Sequence, residues 1–163
     1  MAELTQLDEK LAEVMGLAQA AKETTSKVGK LVKDSEVKDL LRRMREEADE
    51  TAKRCEEVAS EREGKKGAIK AKARETKGEA QQMRDAYLGS DADGLDGFEF
   101  LTMAEAGEVG HVAILGVMGN NAGDQKVIRL VEWAQPIQDR HFRDTREASL
   151  KLAAAEDPLE VSG

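Results

Sequence analysis

Cysteine occurs once in this 163-residue chain, proline twice, and aromatic side chains make up only 3% of it. A lone Cys55 excludes an internal disulfide and suits a reducing cytoplasm, which is the expected location. With so little proline, long helices can run unbroken, and a β-rich fold is not expected. The opening MAELTQLDEK has no basic segment followed by an apolar run, so no secretory signal is expected. Nor does any uninterrupted apolar run approach the roughly 20 residues that span a bilayer, so no membrane partner is expected. The charge balance is also one-sided. With 25 basic against 33 acidic residues the net charge is −8, which argues against nucleic acid as a partner.

What the chain does have is helical periodicity. The length fits one domain, assigned to residues 1–157, with 158–163 as a short tail. From Leu4 to Val32, apolar residues return in alternating steps of three and four (Leu7, Leu11, Val14, Ala18), the spacing of a helix seam. Asp34 or Ser35 can cap the next stripe, which runs through Val37, Leu41, Met44, Ala48, Thr51, Cys55 and Val58. A single helix from 35 to 88 would be roughly 80 Å long, with nothing in the chain to cover it. A break is therefore expected near Gly64, followed by a shorter helix from 65 to 88.

Residues 89–97 read as a turn-rich loop. The stretch from Phe98 to Met118 is apolar nearly all round and should be the most buried helix. After a turn at 119–123, with Asp124 as cap, a fourth stripe runs from Val127 to Leu152, with a kink expected at Pro136. Four stripes with a lengthy connection between the second and third predict an all-α fold. Specifically, they predict a ferritin-like four-helix bundle with an extra helix in that connection.

Polar residues interrupt the last two stripes. Glu105 and Glu108 lie on the apolar stripe of the third, and Gln138 and His141, again three apart, on that of the fourth. The i, i+3 spacing puts each pair on one face of its helix.

The chain resembles the bacterial ferritin-like stress-response proteins of the YciF type. The likeness runs over most of residues 10–155. It is carried by the Asp34-Ser35-Glu36-Val37-Lys38 turn, by Gly64-Lys65-Lys66-Gly67, by Ala104-Glu105-Ala106-Gly107-Glu108, and by the ending Leu150-Lys151-Leu152-Ala153. It implies a ferritin-like bundle, a homo-oligomer (a dimer), and a stress-associated role.

A two-metal centre of that architecture takes one Glu from each of two helices and a Glu-x-x-His pair from each of the other two. Mapped onto the stripes, that pattern meets Ala18 in the first, and Ala48 and Thr51 in the second, with Glu47 one position off and Glu50 near the edge. The third keeps Glu105 with Glu108 beside it, and the fourth offers Gln138-x-x-His141. Two carboxylates against the four charges of two divalent ions leave a dry site unneutralised. The expected state is a degenerate metal site without cofactor. In it the carboxylates pair with His141, Gln138 or an arginine such as Arg54 or Arg62. The alternative is iron or manganese held by Glu105, Glu108 and His141, helped by Gln138 or Glu50, with iron oxidation or peroxide scavenging as its activity.

Other features carry weaker signals. The acidic stretch Asp91 to Phe100 fails the calcium-loop frame, since Leu95 and Asp96 stand where an oxygen ligand and glycine belong. Six basic residues between Lys65 and Lys77 lack interleaved aromatics and read as a solvated face. His111 and Cys55 read as structural. Trp133 and Phe142 would be the anchors if the chain were instead a protein–protein interaction module. No catalytic triad, phosphate loop or Cys-x-x-Cys pair is present. The expected role is that of a non-catalytic, stress-associated helical protein with a vestigial metal site.

Overall fold

A computed structural model describes residues 2–161 and contains five helices. These are α1 (Gln6–Gly29), α2 (Ser35–Ser60), α3 (Lys66–Tyr87), α4 (Gly94–Ala122) and α5 (Gln125–Ala154). Among the described residues there are no strands, as the composition implied.

Side-chain caps fix where four of the helices begin. Thr5 and Asp8 form a reciprocal capping box on α1, and Asp93 and Asp96 do the same on α4. Asp34 and Asp124 each accept two backbone N–H bonds at the starts of α2 and α5. The expected break at Gly64 is present, and its φ of +69° is a left-handed conformation that glycine adopts without strain. Pro136 does not interrupt α5, which continues through it to Ala154.

Cross-helix contacts give the directions. Lys22–Asp49 sets α1 against α2, His111 near Lys10 sets α4 against α1, and Arg43–Asp144 sets α5 against α2. Val131 packs over Gly116 and Val127 over Gly119, so α4 and α5 are also antiparallel. Hence α1, α2, α5 and α4 pack in cyclic order with every neighbour antiparallel. The third helix stands outside this ring, parallel to α1 and packed mainly on it, so that α2 and α4 point the same way.

Gly16 makes that docking close. A Cβ built there would lie 2.4 Å from the Ala73 carbonyl oxygen and 2.9 Å from Thr76 Cβ. The basic run on α3 is therefore not a free solvated face. Lys65 reaches Asp8, Lys70 reaches Glu56 and Lys77 reaches Glu23, all within the chain.

Apolar packing is split into two clusters. One end holds Leu11, Met15, Cys55, Ile69, Val112, Leu115 and Val127. The other holds Val28, Leu41, Met44, Leu88, Phe98 and Leu101. On each of the four ring helices a polar or small segment separates them: Ala18 to Thr25, Ala48 and Thr51, Glu105 and Glu108, Gln138 to Thr145.

One expectation about α4 needs correction. It is long and apolar enough to cross a membrane, by length and composition, yet well under half of its most apolar stretch is buried. Met103, Ile114 and Val117 lie exposed on its outer side. Its apolar residues thus serve two faces, one packed in the ring and one open.

Candidate functional site: the buried polar layer

The interruptions in the two stripes meet in one layer. Glu105 is 1% exposed, His141 3%, and Glu108 and Gln138 7% each, so all four are removed from bulk water. Antiparallel packing of α4 against α5 brings the two i, i+3 pairs together. The Gln138 amide Nε2 donates to Glu105 Oε2, and His141 Nδ1 lies 3.7 Å from the same oxygen.

The other ring nitrogen of His141 faces α2, 3.4 Å from Glu47 Oε1. Glu47 in turn pairs with the Arg140 guanidinium and lies 3.8 Å from Arg43 Nε. The imidazole is thus held between two carboxylates from different helices, and a cationic cluster neutralises the outer one. Glu108 lies about one helical turn from Glu105 on α4, on the same face. Burial, then the neighbouring Glu105 charge, push its carboxyl well above the ordinary carboxylate range.

These positions do not fit a two-metal centre. Ala18 and Ala48 are buried but offer no ligand atom. Thr51 sits at the right height, yet its hydroxyl donates to the Glu47 carbonyl oxygen. Gln138 presents an amide N–H to Glu105, using a lone pair that a metal would need. Among the described residues no group of three His, Cys, Asp or Glu side chains converges as a metal site.

Glu50, placed near the edge in the sequence reading, points away from the layer and bonds Arg54 Nε at 2.9 Å. Neither arginine suggested as a partner reaches the buried carboxylates. Arg54 lies over the Trp133 ring, 4.1 Å from its centroid, and Arg62 bridges toward Asp8 and Asp124. Trp133 is therefore a half-buried lid on the first apolar cluster rather than a bare anchor, and Phe142 is half-buried too.

Arg140 is absent from the sequence expectations, and Glu47 figures there only as one position off its stripe. Both lie beside their stripes, where a charge reads as solvent-facing. The available signal was the pairing of heights: Glu47 precedes Ala48 as Arg140 precedes His141, in antiparallel neighbours.

His111 contacts Lys10 Nζ at 3.2 Å and Glu13 Oε2 at 3.4 Å at the outer edge of α1. Burial and then Lys10 lower its pKa, so it is neutral at pH 7. Cys55 is fully buried and its thiol is pushed up to about 12, which makes it inert in the folded chain.

Comparison with protein-family models, curated proteins and solved structures gave no match to this chain.

Proposed function

We propose that the chain is a ferritin-like, stress-associated helical protein of the cytoplasm whose buried centre is a metal-free polar network rather than a catalytic site. The observation that carries this reading is the Gln138 amide bonded to Glu105, with His141 wedged between Glu105 and Glu47. Glu105, Gln138 and His141, three of the four side chains that could hold a metal, are already engaged with another side chain. A network of this kind fixes helix register when its members are satisfied. Support for the ferritin-like assignment comes from the helix directions, with α2 and α4 parallel and a long connection between them carrying the extra helix.

The proposed partner is a second copy of the chain. The outer face of α4 is uncharged from Met103 to Val117, with Ala106, Gly107, Gly110 and Ala113 between larger ends. That order is nearly symmetric about Gly110, which suits an antiparallel two-fold contact. A Val117→Glu variant should then sediment as a monomer with its helicity intact.

The catalytic alternative separates from this reading by Fe(II) oxidation under air and by the Glu105→Ala variant. In a metal-free network, wild type oxidises Fe(II) no faster than buffer. The variant in that case loses only stability, on the order of 3–5 kcal/mol for breaking a buried pair. Metal-dependent turnover abolished by Glu105→Ala would establish the oxidase instead.

A further inference from the structure

An apolar slot of about 220 Å³ opens between α3 and α4, with α1 as its back wall. It exists because α3 and α4 both pack on α1 and touch each other little. They meet at one end, where the Tyr87 ring leans on Phe100 at 5.6 Å and its hydroxyl reaches Glu99 at 3.3 Å. Leu17, Ala80, Met83, Leu101 and Met103 line the walls, and the inner end is formed by Glu105 and Glu108.

From the geometry we infer that this slot is a binding site for a small organic cation: a primary ammonium head on an apolar body of about six to eight carbons. The walls favour the apolar body, because apart from Thr24 and His111 the side chains along them are apolar. The acid pair requires the head. Among the described residues the two adjacent carboxyl groups accept one side-chain N–H bond, from Gln138 to Glu105, with His141 Nδ1 3.7 Å from the same oxygen, and no N–H group bonds Glu108. Glu108 is more than nine-tenths buried and lines the slot. An ammonium group brings three donors and a positive charge to the two buried acids. A carboxylate ligand would repel the pair, and a neutral one brings no positive charge to it.

Size follows from the volume. A cavity of roughly 150 Å³ accommodates benzene, so 220 Å³ takes a six-carbon body with room for the head.

This inference rests on the carboxylates being metal-free, and the two fail separately. Metal content decides that premise, and amine binding decides the slot. The test is calorimetric titration of the full chain with n-hexylamine, 1-hexanol and hexanoate. Saturable hexylamine binding, about tenfold or more tighter than 1-hexanol, is expected, because a charge-assisted hydrogen bond is worth more than a neutral one. Glu108→Gln should erase that preference while leaving 1-hexanol unchanged, and Ala80→Phe, which fills the slot, should weaken both. No hexylamine binding, equal affinity for amine and alcohol, or binding that survives Ala80→Phe would overturn it. Thermal unfolding with and without hexylamine provides a second readout, in which both variants must lose the ligand-induced rise in Tm.

Discussion

Gly16→Ala adds one methyl group where α1 and α3 touch backbone to backbone. The new Cβ meets the Ala73 carbonyl oxygen at 2.4 Å, Thr76 Cβ at 2.9 Å and Lys77 N at 3.1 Å. Two of these three are main-chain atoms of a helix, so relief requires moving α3 bodily. Overpacking costs about 1–3 kcal/mol, and rigid backbone places this site near the top of that range. Replacing glycine inside a helix returns about 1 kcal/mol of propensity, leaving a net loss of about 2 kcal/mol. For a chain of this size that lowers Tm by about 4–8 °C. Gly78→Ala is the control. It lies inside α3 with nothing within 4 Å of a built Cβ, so only the propensity gain remains and Tm should rise by about 2–4 °C. Calorimetry on both variants checks the pair. If Gly16→Ala raised Tm as Gly78→Ala does, the close docking of α3 on α1 would be refuted.

The buried acid gives a second prediction. Because Glu108 holds its proton more tightly folded than unfolded, the protein loses stability as pH rises above about 4.3, where the unfolded side chain ionises. Glu108→Gln should therefore raise Tm at pH 8, with the gain shrinking toward pH 4; a Tm lowered most at pH 8 contradicts the sign. Asp8 should behave oppositely. Burial opposes its ionisation, but bonds from Lys65 and Thr5 outweigh that and hold its pKa below the ordinary value. Its stabilising share is present above about pH 3.9 and lost as pH falls through the folded pKa, so Asp8→Asn should lower Tm at pH 7 and have little effect near pH 2. Cys55 should resist a water-soluble disulfide reagent in the native chain and react with one equivalent only after denaturation.

The helices were legible because capping aspartates and three–four spacing are local signals, and Asp34, Gly64 and Asp124 acted where the pattern put them. The four members of the polar layer were legible for the same reason, as polar residues on otherwise apolar stripes. Their partners were not. Whether Glu47 or Glu50 turns inward depends on how α2 rotates against α5, a tertiary choice that no single-helix pattern contains. The outer face of α4 was misjudged for a related reason. An all-round apolar helix implies burial only if enough neighbours surround it, and here α3 leaves its side open by docking on α1 instead. The slot that results comes from two helices that touch each other little, a feature without any sequence signature.

Glu105, Glu108, Gln138 and His141, with Glu47 behind the histidine, form a polar layer that holds no metal in this account. Metal content of tag-free protein, purified from cells supplied with iron and manganese, tests it by inductively coupled plasma mass spectrometry. The account predicts far less than one ion per chain, unchanged in Glu105→Ala. One or more ions per chain in wild type, lost in Glu105→Ala, would contradict it.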